Sequence, residues 1–123
     1  MLSLDGADII TASEGTSNVR VGVNAGNSIV SGGNYNTVVG DEAGTAITTG
    51  DYNTALGYQA GDAVTTGLSN TFIGGRAGTA TTTAGYNTAV GDRSFQTNTT
   101  GANNVAMGWA TMTNNTTGAE NTA

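Results

Sequence analysis

Residues 50–57 read Gly-Asp-Tyr-Asn-Thr-Ala-Leu-Gly, and residues 84–91 repeat the pattern as Ala-Gly-Tyr-Asn-Thr-Ala-Val-Gly. The two stretches are two periods apart, and the same register of about 17 residues recurs over residues 17–123. An asparagine marks every period. These asparagines are Asn36, Asn53, Asn70, Asn87, Asn104 and Asn121. A weaker copy at Asn18 precedes the first of them by one residue more than the period, and we place this inserted residue before Gly33.

Each period predicts one coil of a solenoid. The three residues after the asparagine favour a strand, since β-branched residues recur among them, and the glycine that follows marks a corner. These strand segments are 37–39, 54–56, 71–73, 88–90 and 105–107. Helical repeats need about 30 residues or more, so this period is too short for them. We therefore expect an all-β chain that folds as a parallel β-solenoid or β-roll of about 17-residue coils, with about six coils and the last one truncated.

Equivalent residues of stacked coils should form ladders along the predicted rod. The asparagines can then exchange side-chain amide hydrogen bonds from coil to coil. Threonine pairs such as Thr48 and Thr49 are expected to pack their methyl groups while their hydroxyls face water. Because adjacent threonines point to opposite faces of a strand, they do not form the two parallel ranks that ice binding needs. Residues 1–16 lack the repeat and are interpreted as a cap or attachment segment.

One position per coil is consistently large and apolar. Its residues are Val39, Leu56, Ile73, Val90 and Met107. A second apolar position begins with Ile47 and Val64 but changes to Thr81 and then to asparagine. Since one aliphatic residue per coil buries too little for a chain alone, the sequence predicts a homotrimer, intertwined or side by side. In such a trimer the aliphatic residues of three chains meet at a common axis.

The segments 53–57 and 87–91 resemble the head repeats of trimeric autotransporter adhesins. The longer unit, Gly-x-x-Asn-Thr-Ala-x-Gly with a later Thr-Thr-Gly, as in residues 50–57 and 65–67, is similar to repeats of bacteriophage tail-fibre and related virion proteins. The resemblance covers residues 17–123 and implies a left-handed parallel β-roll wound as a trimer. It further implies a structural protein of a virion appendage that spaces or presents a host-binding element, with other virion or fibre proteins as partners. The alternative is an adhesin head on a bacterial cell surface that binds host matrix or glycans.

Composition narrows the remaining function classes. The 123 residues carry a net charge of −6 with only three cationic side chains, so no basic patch favours nucleic acid. No stretch is apolar enough for a membrane span, and we expect no membrane insertion. Histidine and cysteine are absent, which excludes Ser-His-Asp triads and thiolate or imidazole metal sites. We therefore expect neither an enzyme nor a bound metal or cofactor.

Carboxylates and aromatic side chains remain as candidates for chemistry. Asp41 and Glu42, together with Asp92, could supply a glycosidase carboxylate pair, but we favour exposed turns with ion pairs such as Arg76 with Asp92. Surface aromatic rings can stack on sugar faces. The candidate contacts for a host glycan or receptor are Tyr35, Tyr52, Tyr58, Tyr86 and Trp109. The alternative is that these rings cover coil edges or a seam between subunits.

Overall fold

A computed structural model describes the backbone of residues 9–10 and the whole of residues 14–123. This part of the chain is all-β and contains no helix. Its strands are β1 (Ile9–Ile10), β2 (Val19–Val21), β3 (Thr37–Val39), β4 (Thr54–Leu56), β5 (Thr71–Ile73), β6 (Thr88–Val90) and β7 (Val105–Met107). β2 to β7 are parallel and follow one another in sequence order, while β1 lies antiparallel to β2. The predicted parallel β-solenoid is confirmed.

The coils stack in the register of the repeat. Thr37 pairs with Thr54 across one period, whereas the step from Val19 to its partner Thr37 is one residue longer. The backbone N–H of Val30 donates to the carbonyl of Thr48, which is 18 residues further on, whereas Gly33 occupies the corner equivalent to Gly50, which is 17 residues further on. The extra residue therefore lies between Val30 and Gly33, near Gly32. The insertion is therefore absorbed at one corner, and the strands on both sides keep their alignment.

A single chain closes its own core, which differs from the expectation that one chain buries too little. The middle residue of each strand from β3 to β7 points inward and is at most 2% exposed. These residues are Val38, Ala55, Phe72, Ala89 and Ala106. Phe72 fits because the residues in line with it on both sides are alanines. Ile47, Val64 and Phe95 complete the interior, each at most 1% exposed.

The glycine after each strand lets neighbouring coils approach closely. Gly57, for example, has φ 135°, and a Cβ added there would lie 2.6 Å from the carbonyl oxygen of Gly74 in the next coil. Side chains rarely adopt this conformation, and the space is closed by backbone that cannot move aside. Only glycine therefore serves at this corner.

The repeated asparagines form a buried hydrogen-bond ladder inside the rod. The amide nitrogen of Asn70 donates to Oδ1 of Asn53 (3.0 Å) and to the carbonyl of Ala84 (2.9 Å). Its Oδ1 accepts from the backbone N–H and from the Nδ2 of Asn87, at 3.1 and 3.2 Å. The amides thus lie within each coil, where they satisfy backbone groups and each other.

The threonine pairs divide their roles. Thr48 donates its hydroxyl to the carbonyl of Thr65 in the next coil (3.1 Å), and Thr65 does the same to Thr82 (3.3 Å), whereas Thr49 is exposed. The first hydroxyl of the pairs at Thr48, Thr65, Thr82 and Thr99 is therefore used in coil stacking and does not face water as expected. In the described ranges, no helix has the length and apolarity to cross a membrane.

Candidate functional site

The outer face of the sheet carries two uncharged ranks of side chains. Because strand residues alternate between faces, the residues on either side of each buried one point outward. The threonine rank is Thr37, Thr54, Thr71 and Thr88, and the aliphatic column is Val39, Leu56, Ile73, Val90 and Met107. Leu56 is 45% exposed and Met107 61%. The large apolar residues that the sequence placed at a shared core are thus the outer surface of each chain. Strand alternation was the signal that would have located them.

A row of tyrosines lies at the corner before the strands, and we call Tyr35, Tyr52 and Tyr86 the tyrosine row. The rings of Tyr35 and Tyr52 stack with their centroids 5.0 Å apart and an angle of 12° between their planes. Each tyrosine has a positive φ of 58 to 62° and at least half of its side chain exposed. Tyr86 belongs to the same corner but lies two coils beyond Tyr52, with Ser69 between them.

The other two candidate aromatic residues lie at the opposite end of the strands. Tyr58 is half-exposed, and the Arg76 guanidinium lies over its ring at 5.9 Å from the centroid. Trp109 occupies the equivalent position three coils away and is 73% exposed. The five predicted contact residues therefore divide between two corners, and only Tyr35 and Tyr52 touch.

Asp41 and Asp92 are too far apart to act as a glycosidase pair. Asp41 and Asp92 are three coils apart, about 14 Å by strand spacing, whereas such carboxylates stand about 5 to 10 Å apart. Asp92 lies 3.8 Å from its neighbour Arg93, and the predicted ion pair with Arg76 does not form. Glu42 instead accepts a hydrogen bond from the Gln59 amide in the next coil (2.6 Å).

The carboxyl group of Asp62 is partly buried, and its pKa is shifted. Burial raises the pKa of Asp62, and the charge of Glu42 acts in the same direction, while hydrogen bonds from the backbone partly oppose the rise. Residues 14–123 enclose no cavity around this pair and hold no group of three acidic side chains that could bind a metal ion. Burial therefore makes the charged form of the Asp62 carboxyl less favourable than it is in water.

No family model, curated protein or solved structure matches the chain. The surface of the solenoid thus carries the functional inference, and two of its features are unusual. The aliphatic column is apolar and lies outside the chain's own core, with Leu56 and Met107 exposed and Val39, Ile73 and Val90 half-buried. The tyrosine row places large rings in a backbone conformation that tyrosine seldom adopts.

Proposed function

We propose that the chain forms part of a trimeric virion fibre, such as a phage tail fibre, in which the rod spaces or presents a host-binding element. The observation that carries this proposal is the aliphatic column on the outer face. Contiguous apolar surface on a soluble protein marks an interaction site, and this surface runs the length of the rod with one residue per coil. A partner chain with the same 17-residue repeat presents one apolar residue opposite each residue of this column.

Three copies placed side by side meet this requirement. Each coil step of about 4.8 Å then brings three aliphatic side chains together, one from each chain, with the threonine rank beside them. Since each chain completes its own coil, the copies need not intertwine. The interface is also free of repulsion, because no acidic or basic side chain lies on the outer face of β3 to β7, although each chain carries a net charge of −6.

Sedimentation equilibrium of the wild type and two matched variants tests the assembly. Leu56→Asp places three carboxylates at the proposed axis, where their desolvation and repulsion are unfavourable, and should yield a monomer with an unchanged circular dichroism spectrum. Thr66→Asp puts the same charge on an exposed position of another face and should remain trimeric. A wild-type protein that is a folded monomer at micromolar concentration contradicts the trimer, and a trimeric Leu56→Asp variant contradicts this interface.

Immunogold electron microscopy tests the location. With an antibody against the chain, we expect label on the appendages of virus particles from the producing culture. Label on the bacterial surface instead would support the adhesin alternative, which the exposed tyrosine row also suits. If neither particles nor cell surfaces were labelled, both functions would be refuted.

A further inference from the structure

The tyrosine row has a gap of one coil at Ser69. This residue has the same left-handed backbone as its neighbours in the row, with φ 57° against 58° for Tyr52 and 62° for Tyr86. The backbone N–H of Ser69 donates to the carbonyl of Asp51 (2.9 Å), and that of Tyr86 donates to Leu68 (3.0 Å), so the same bond recurs at each step. The three residues are thus held in register, and the small serine leaves an open slot between two tyrosine rings.

The slot is two stacking distances wide. The rings of Tyr35 and Tyr52, one coil apart, have centroids separated by 5.0 Å. At this spacing per coil, a Tyr86 ring oriented like that of Tyr52 lies about 10 Å from it. A guest ring midway would lie about 5 Å from each tyrosine, within the range of about 4.5 to 7 Å for stacked rings. The slot consequently takes one ring and no more.

The floor of the slot is uncharged and combines two hydroxyls with the partly exposed side chain of Leu68. The hydroxyls of Ser69 and Thr71 are partly exposed and have no hydrogen-bond partner in the described part of the chain. The carboxylate of Asp51 is engaged on the other side of Tyr52, where its Oδ1 accepts from the backbone N–H of Asn34 in the preceding coil (2.7 Å). No arginine occupies this corner position in any coil. The slot offers two aromatic faces and two hydroxyls, with nothing to neutralise an anion.

The tyrosines are not required by the fold at this corner. A positive φ is unfavourable for most residues, and asparagine tolerates it better than tyrosine. Asn103 occupies the equivalent corner two residues before β7, with φ 58°. Tyr52 and Tyr86 are 59% and 60% exposed, so their rings contribute little to the core. Contact with a ligand accounts for rings that are unfavourable to place and that remain in water.

We infer that the slot between Tyr52 and Tyr86 binds one neutral pyranose ring of a host-surface glycan. The two C–H faces of the sugar stack on the tyrosines, and its hydroxyls hydrogen-bond to Ser69 and Thr71. This inference deepens the proposed host-contacting role and rests on it for its biological setting. The slot itself is built from one chain.

Titration with methyl β-glucopyranoside and methyl β-galactopyranoside, followed by NMR of the tyrosine and tryptophan ring signals, tests the slot. We expect at least one glycoside to shift Tyr52 and Tyr86 at millimolar concentration. Ser69→Tyr completes the row and should abolish the response, since tyrosine already adopts this backbone at three equivalent corners. Tyr86→Asn should weaken binding about threefold to tenfold. The matched control Tyr35→Asn, on the far side of Tyr52, should leave affinity unchanged.

Several results would overturn the inference. They are the absence of any shift with both glycosides, a response that survives Ser69→Tyr, and shifts confined to Tyr58 or Trp109. Tetramethylammonium and phenol serve as alternative guests, and a slot that takes either of them but no glycoside binds a cation or an aromatic side chain instead. Repeating the titration on the Leu56→Asp variant separates this question from assembly, because a monomer that still binds the sugar supports the slot even if the trimer proposal fails.

Discussion

Replacement of Asn70 by alanine probes the asparagine ladder at its centre. The substitution removes the two hydrogen bonds that the Asn70 amide nitrogen donates and the two that its oxygen accepts. Two backbone groups lose their partners as a result, the carbonyl of Ala84 and the N–H of Asn87. Both lie in the interior, since Asn87 is 1% and Ala84 5% exposed.

The expected loss follows from these two groups. A buried backbone group without a partner costs about 1 to 3 kcal/mol, so Asn70→Ala should lower the free energy of unfolding by about 2 to 6 kcal/mol. That is a large part of the roughly 5 to 15 kcal/mol that stabilise a typical domain. Urea unfolding followed by circular dichroism measures the change, which at a slope of about 2 kcal/mol per molar urea moves the midpoint by about 2 M.

Asn114→Ala is the matched control. Asn114 is exposed, and its side chain makes no hydrogen bond within residues 14–123, so its replacement should change stability by less than about 0.5 kcal/mol. If Asn70→Ala were as stable as Asn114→Ala, the buried ladder would not hold the coils together, and the account of why asparagine repeats would be refuted.

Three further substitutions test individual positions by urea unfolding. Gly57→Ala combines a strained φ with a backbone clash, whereas Gly32→Ala has a similar φ of 112° and only an ordinary contact with Thr49, at 3.6 Å. Gly57→Ala should therefore destabilise the chain more, and equal losses would mean that close coil packing is unimportant. The hydroxyls of Thr81 and Ser94 are buried and have no hydrogen-bond partner among the described residues. Thr81→Val and Ser94→Ala should therefore each stabilise the fold by about 1 kcal/mol. A loss of stability would mean that these hydroxyls are hydrogen-bonded in the folded chain. Burial raises the pKa of Asp62 in the folded state, so protonation of its carboxyl favours folding. The wild type should therefore be less stable than Asp62→Asn at pH 7, and this difference in stability should disappear as the pH falls through the folded-state pKa to below about 4. A difference that does not depend on pH would contradict the shift.

The repeat predicted the coil length and strand positions because stacking constrains every period alike. Asn70 must meet Asn53 and Asn87, and Gly57 must meet Gly74, so any change of period breaks both contacts. These requirements act on residue identity and are therefore visible in a single sequence. The insertion near Gly32 was visible for the same reason, since it lengthens one spacing by a single residue.

The inner and outer faces were harder to read. Leu56 is larger and more apolar than Ala55, yet the alanine is buried and the leucine exposed. The narrow interior, in which Phe72 stands between alanines, decides which side points inward, and residue size alone does not reveal it. The ion-pair partner of Asp92 was equally hard to predict. Its carboxylate lies near the adjacent residue Arg93 and over Gly75, and not beside Arg76.

The candidate site was predicted only in part. The shared position of Tyr35, Tyr52 and Tyr86 follows directly from the period, but the stacking of the first two depends on ring orientation, which a sequence does not specify. Ser69 looked like an interruption of the row. It became a slot only when the separation of its two walls was known from the coil spacing.

A distance between spin labels on the first and last parallel strands tests the central claim that the chain makes one coil in every period of the repeat. The natural chain has no cysteine, so Val19→Cys and Val105→Cys provide unique sites at the same outer rank of β2 and β7. Labelled chains diluted with unlabelled protein report only the intrachain distance. Five coil steps predict one narrow distribution near about 24 Å, whereas a broad distribution or a mean beyond about 40 Å would contradict the solenoid.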